Sequence, residues 1–190
     1  MLELPLRTPR LVLRALTADD VENHHRLFGD AGVVHYLYDE QMDRSAAEAH
    51  LEKRLDPRLP AADGDWLNLA ATVDGEYIGE TGLGLSSKVH RQCEVGYVFL
   101  PSASGSGYAT EATAAMIDLA FSALEAHRVV GRLDARNEAS AALLRRLGMR
   151  HEATFRENEW VKGEWTDESV YAITADEWWE RRSSAARNSG

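Results

Sequence analysis

The residues Pro101-Ser102-Ala103-Ser104-Gly105-Ser106-Gly107-Tyr108-Ala109-Thr110-Glu111-Ala112 join a β-like stretch ending at Leu100 to an alanine-rich helical stretch. Residues of these types in such a place hold an anion without many basic side chains. Glycine lets the backbone approach a ligand, and the first N–H groups of a helix starting at Tyr108 have no partner inside it. The helix dipole adds partial positive charge at that end, so a pyrophosphate is the natural occupant. Two nucleotide motifs are excluded. A dinucleotide fingerprint needs a third glycine where Thr110 stands, and a P-loop needs Lys followed by Ser or Thr where Tyr108 stands. A flexible Gly/Ser loop is the competing reading of a lone Gly-x-Gly.

An anion site of this kind suits an acidic chain. Formal net charge is −10 over 190 residues, and a backbone-phosphate partner needs clustered cations, so nucleic acid is not expected. The acidity favours cationic partners such as amines only weakly, since it also serves solubility. With 44% hydrophobic residues the chain can bury one sizeable core, and a single domain over residues 1–182 is expected, with a disordered tail over 183–190. Cys93 stands alone, so no internal disulfide forms, and no Cys/His cluster has zinc spacing. A reducing, cytoplasmic setting and no metal are the expectation. Met1 to Leu16 carries Glu3, Arg7, Arg10 and Arg14 with no unbroken apolar run, which fits neither a signal peptide nor a membrane span.

The elements that must position the turn follow from periodicity. Arg10 to Ala15 alternates as an opening strand, and Thr17 with Asp20 starts a helix to about Gly29. Ser45-Ala46-Ala47-Glu48 fits a capping box for a second helix reaching Leu55, and Val33 to Gln41 has no clear period. Leu67, Leu69, Ala71 and Val73 alternate up to Asp74-Gly75, and Tyr77-Ile78 resumes beyond, a hairpin of strands two and three. Cys93 to Leu100 is strand four. A helix from Tyr108 buries Ala112, Ala115, Met116, Leu119, Ala120 and Ala123, then Arg128 to Ala135 is strand five. Asn137 opens a helix ended by Gly148, and His151–Glu159 and Thr166–Thr174 flank a turn at Lys162-Gly163. Only strands four and five require a parallel crossover, so the fold class is α/β (α+β) with a mixed twisted sheet.

Several segments together resemble the GNAT superfamily, in the branch of ribosomal-protein N-terminal acetyltransferases. They are Thr8-Pro9-Arg10-Leu11-Val12-Leu13-Arg14, Glu94-Val95-Gly96-Tyr97, and Gly105-Ser106-Gly107-Tyr108-Ala109-Thr110-Glu111-Ala112. Asn137-Glu138-Ala139-Ser140 followed by Leu147-Gly148-Met149, and Gly163 with Asp167, extend the likeness over nearly the whole chain. The resemblance implies about seven strands, splayed between strands four and five, about four flanking helices, and acetyl-CoA as cosubstrate. Its pyrophosphate would rest on Gly105, Ser106, Gly107, Tyr108, Ala109 and Thr110, and its pantetheine arm on Val98 and Phe99. Asn137 would face the pantetheine and Ser140 the sulfur. Each has a plainer role open, Asn137 as a helix cap and Ser140 as a small packing residue. Two features depart from the family pattern: Ser102 and Ser104 replace its Gln or Arg and large residue, and Leu144 stands where relatives carry a tyrosine acid.

Acetyl transfer needs a neutral amine, a stabilised oxyanion and a proton for the leaving thiolate. An α-amino group is roughly a tenth neutral at pH 7, whereas a lysine amine is almost wholly charged. The oxyanion would meet a strand-four amide near Phe99. Glu94 is the first candidate base, because alternation with Gly96 and Val98 turns it to the cleft side. A solvated carboxylate is the alternative. Glu111 in a first helical turn serves the dipole equally well. Ser140 is the candidate proton donor. The acceptor is expected between the first helices and the last hairpin, near His35, Tyr36, Tyr38, Asp39, Glu40, Trp160 and Trp165, where rings and carboxylates suit a cationic amine. The same aromatics equally fill core or a dimer contact, which keeps a homodimer open. Two functions stand at this point: an enzyme acetylating a protein N-terminus or small amine, and a catalytically idle CoA-binding module.

Overall fold

The computed structural model describes residues 2–188. Its strands are β1 (Leu6–Arg7), β2 (Val12–Ala15), β3 (Trp66–Val73), β4 (Glu76–Ser87), β5 (Gln92–Phe99), β6 (Arg128–Asp134), β7 (Arg150–Val161) and β8 (Glu164–Thr174). The helices are α1 (Val21–Phe28), α2 (Ala31–Val34), α3 (Arg44–Glu52), α4 (Tyr108–Ser122), α5 (Glu138–Arg146) and α6 (Ala175–Asn188). All eight strands join one sheet, ordered β1-β2-β3-β4-β5-β6-β8-β7. Every neighbouring pair is antiparallel except β5 and β6, so the mixed α/β class holds. Strands four and five of the sequence reading are β5 and β6.

The differences from expectation have local causes. β1 is an eighth strand of two residues, too short for alternation to reveal, and it pairs Leu6 with Leu13. α2 is a single turn capped by Asp30, whose side chain accepts from the amides of Gly32 and Val33. The cap of α3 is Asp43, accepting from Ala46 N, rather than Ser45, because Asp43 alone has the extended torsions a cap requires and precedes the first helical residue. Beyond residue 183, where a tail was expected, α6 continues to Asn188; Trp178 of this helix is buried and its indole N–H donates to Asp118 Oδ1 at 2.8 Å. Residues 189 and 190 of the expected tail lie outside the described residues.

Both faces of the sheet centre are covered, which is why β3 reads as almost continuously buried. On one face Leu67, Leu69, Leu83, Cys93 and Val95 pack with Met116, Ile117 and Ala120 of α4. On the other, Ala70, Tyr77 and Leu100 pack with Leu27, Phe28 and Leu51 of α1 and α3. Beneath those helices Glu80 Oε1 meets His24 Nδ1 and Tyr77 Oη, each at 2.6 Å, and His24 Nε2 lies 2.9 Å from His50 Nδ1. Burying a leucine or phenylalanine side chain contributes about 1.5–3 kcal/mol, so these two layers fix the twist and spacing of β3 to β5.

Candidate active site

β5 and β6 are paired only through Gln92–Arg128, Cys93–Val129 and Glu94–Val130, after which no ladder joins them. The sheet forks there. The ladder from β4 runs unbroken along β5 from Cys93 to Phe99, so side chains alternate without a bulge: Glu94, Gly96 and Val98 face the α1–α3 side, and Val95, Tyr97 and Phe99 the α4 side. The free arm of β5 carries Val98 and Phe99, both half-buried.

The chain then reaches the glycine turn. Gly105 and Gly107 have φ of 76° and 78°, left-handed torsions that favour glycine, and Gly107 is the N-cap of α4 with no side-chain cap. The amides of Tyr108, Ala109 and Thr110 therefore leave the helix end without an acceptor among the described residues. That cradle of donors fits a pyrophosphate. A cation reaches it from a distant segment: Arg10 Nη1 donates to Ser106 O at 2.8 Å, its Nε to Glu111 Oε2 at 2.7 Å, and its guanidinium lies 4.7 Å from the Tyr108 ring centre. Thr8 Oγ1 and the Arg10 amide both donate to Glu111 Oε1, at 2.6 and 2.8 Å. Burial pushes the Glu111 carboxyl up, but these hydrogen bonds outweigh it and hold it below the ordinary range. Glu111 thus fastens the turn to the N-terminal segment. Nothing in either segment signals a partner so far along the chain, so the link between them is not legible in the sequence.

Across the fork on the α4 side, Tyr97 Oη and Ser140 Oγ are 2.7 Å apart. Burial pushes the Tyr97 hydroxyl up to about 12, so it carries its proton at neutral pH. Asn137 caps α5, its Oδ1 accepting from Ser140 N at 3.0 Å, and so sets where Ser140 sits. Leu144 is buried, and a β-carbon on Gly131 would stand 2.7 Å from its Cδ1. Tyr97 is a residue sequence reasoning missed; the alternation that turned Glu94 one way turns Tyr97 the other.

On the α1–α3 side, Glu94 stands at the apex of the fork. Burial raises its pKa, Arg132 opposes that, and Glu168 adds to it. Arg132 links the two carboxylates, its Nε 3.6 Å from Glu94 Oε2 and its Nη1 3.0 Å from Glu168 Oε2. Glu168 is 4% exposed and also accepts from Asn158 Nδ2 at 3.1 Å and Tyr38 Oη at 3.4 Å. Burial and then Glu168 push Tyr38 up to about 12. Tyr36 and Tyr38 line a small cavity with Glu159, Thr166 and Glu168. Lys162 Nζ donates to Val34 O and Leu37 O, fastening the β7–β8 turn over this side.

The other expected acceptor residues are more scattered. His35 is exposed and stacks edge-on with Tyr36 at 4.5 Å, Asp39 lies 3.6 Å from His50 Nε2, and Glu40 is exposed. Trp160 and Trp165 form an edge-to-face pair 5.2 Å apart, 60% and 59% exposed, alternating with Glu159 and Thr166 and so turned away from the cavity they line. Asp167 takes the Glu157 amide at 2.8 Å where the β7–β8 register shifts. Arg132, Glu168 and Trp66, which lies over Gly82 and Gly84, complete this face. None carries a local pattern in the sequence; only the strand order brings them together.

The model of the acetyltransferase (GNAT) domain family matches residues 10–150. The uncharacterized N-acetyltransferase YnaD of Bacillus subtilis is 28% identical over 178 residues, covering 91% of this chain and 98% of that protein. Among solved structures, the GNAT-family acetyltransferase of Bacillus anthracis is similar at a TM-score of 0.80 and 25% identity, over 90% of this chain and 98% of that one. The spermidine N-acetyltransferase of Vibrio cholerae, solved with CoA and spermine, shares the fold at a TM-score of 0.77 and 20% identity, over 90% of this chain and 99% of that one. Among the described residues no helix is long and apolar enough to cross a membrane.

Proposed function

The chain belongs to the acetyltransferase (GNAT) domain family and is an N-acetyltransferase, and from that premise we propose that it moves the acetyl group of acetyl-CoA to a primary amine, on a small molecule or a protein N-terminus. The observation that carries this reading is the fork. It has unpartnered amides at one end, a carboxylate at its apex on one face and, further along β5 on the other face, a hydroxyl pair. A fold neighbour solved with CoA and spermine supports the coarser pairing of a CoA donor with an amine acceptor.

Acetyl-CoA supplies an activated acyl carbon joined to a thiol leaving group. The amides of Gly105 to Thr110 hold its pyrophosphate, with Arg10 beside them, and Val98 and Phe99 align the arm that enters the fork. Gly96 carries no side chain between Glu94 and Val98, and the edge of the Trp66 indole lies where one would stand. Glu94 takes a proton from the bound ammonium and so frees the nitrogen lone pair to attack the acyl carbon; the second N–H proton passes to solvent as the nitrogen–carbon bond forms. The buried setting of Glu94 brings its pKa closer to working pH, where a base is effective. As the carbon–sulfur bond breaks, Ser140 hands its proton to the sulfur and is reprotonated by Tyr97, which recovers a proton from solvent. A cytoplasmic setting fits the single buried thiol, Cys93.

Thiol release from acetyl-CoA, followed with a panel of α-amines, alkylamines, polyamines and aminoglycosides, tests the reading. Turnover with at least one amine, with the product acetylated on nitrogen, is expected. Hydrolysis alone, or none with any amine despite CoA binding, would count against it.

A further inference from the structure

Trp66 opens β3 and is paired with Gly84, which is in turn paired with Glu94. Its indole does not stand up from the sheet. A β-carbon on Gly84 would lie 2.5 Å from Cε2, one on Gly82 3.2 Å from Cε3, and one on Gly96 3.5 Å from Cζ3. The ring therefore lies flat across β4 and reaches β5, on backbone that only glycine leaves bare. It is 42% exposed, so its upper face is open on the same side of the sheet as Glu94.

Beyond the ring's edge the charges are mostly negative. Arg132 stands between Glu94 and Glu168, within 3.6 Å of one and 3.0 Å of the other, and Glu159 lines the same small cavity as Glu168. An ammonium belongs at that end, while the indole itself carries no charge. A polyamine would bring further cations to a floor that is apolar where they would lie.

From this we infer that Trp66 is a specificity-determining residue: its indole is the floor for the acceptor, which is a primary monoamine carried on a flat or short apolar body. The inference rests on the amine-acetylating reading above and names its substrate class. The apolar body lies on the indole while the amine reaches past the ring's edge to Glu94. Attraction between the ammonium and the indole adds to the hold before the proton is lost.

Initial rates of thiol release are measured with 2-phenylethylamine, butylamine and spermidine for the wild type, Trp66→Ala, Trp66→Phe and Gly84→Ala. CoA affinity by calorimetry reports folding on the other side of the fork. The wild type should favour 2-phenylethylamine over spermidine in kcat/KM. Trp66→Ala should raise KM for 2-phenylethylamine about tenfold while kcat stays within about twofold, the scale of a lost face contact. Trp66→Phe should keep most of the affinity. Gly84→Ala keeps the indole but lifts it, and should raise KM as Trp66→Ala does; if it does not fold, the Trp66 variants carry the test. An unchanged KM in Trp66→Ala, or a wild type that prefers spermidine, overturns the inference while leaving amine acetylation standing. A CoA-binding wild type that acetylates no amine overturns both.

Discussion

The glycine turn before α4 and the trough on the opposite face of the sheet are made of different material. The turn is backbone: consecutive residues, two left-handed glycines and the free end of a helix, steadied from outside by Arg10. The trough is side chains, with Tyr38 from the α2–α3 connection, Trp66 from β3, Glu94 from β5, Arg132 from β6 and Glu168 from β8. A pyrophosphate offers the same oxygens whatever it carries, so backbone N–H groups suffice to hold it. An acceptor differs from one enzyme to the next, and side chains can be exchanged without disturbing the ladder beneath. The fold thus leaves the acceptor free to change while the donor stays fixed.

If the comparison is right, substitutions that delete a side chain should hurt on the trough side, and substitutions that add one should hurt at the turn. The largest effect is expected from Glu94→Gln, with turnover of an alkylamine falling about 10²-fold and recovering in part as rising pH deprotonates the amine unaided. Acetyl-CoA binding should not change. In the wild type the rate should fall as pH drops through the raised Glu94 pKa, at higher pH than an ordinary carboxylate would give. Turnover unaffected between pH 6 and 9 would remove Glu94 as base. Next comes Gly107→Val, which puts a β-branched residue at φ 78° and a β-carbon 3.4 Å from Arg10 Nη2. CoA affinity by calorimetry should drop about thirtyfold, roughly 2 kcal/mol.

Tyr97→Phe should lower kcat about tenfold with KM for acetyl-CoA unchanged, a mild loss because Ser140 remains and a thiolate leaves readily. A wild-type kcat in this variant would confine Tyr97 to holding α5 against β5. Arg10→Ala sharpens the comparison, since it removes a cationic side chain that serves the turn. CoA affinity should fall about fivefold, consistent with one partly exposed cation. The smallest effect belongs to Ser106→Ala, whose contribution is its backbone: affinity should stay within about twofold, and a tenfold loss would mean the turn reads its ligand through side chains after all.

The same division explains what could be read in advance. The turn, the helix it opens and the Asn137 cap are contiguous, so local chemistry announces them. Alternation along β5 was enough to face Glu94 toward the α1–α3 side, because no bulge interrupts Cys93 to Phe99. Arg132 and Glu168 were invisible, for their meaning depends on β8 lying between β6 and β7, an order that no local pattern encodes. The facing of Trp160 and Trp165 was illegible for the same reason, since whether a hairpin residue faces in or out depends on a register shifted between Phe155 and Glu159. The α3 cap was displaced from Ser45 to Asp43 because both residues are good caps and only the backbone torsions choose between them.

The brevity of the β5–β6 ladder has a further consequence for how the protein behaves in a crowded solution. A strand whose N–H and C=O groups lack a neighbour is a template on which another chain can grow, and soluble proteins blunt or cover such templates. Past Glu94 the fork leaves β5 in that condition on the side away from β4. Here the exposed stretch is set inside a cleft whose far wall is β6, backed by β8, rather than at the rim of the sheet. On the proposed reading the pantetheine arm of acetyl-CoA enters there and completes the pairing, so the cosubstrate itself covers the template.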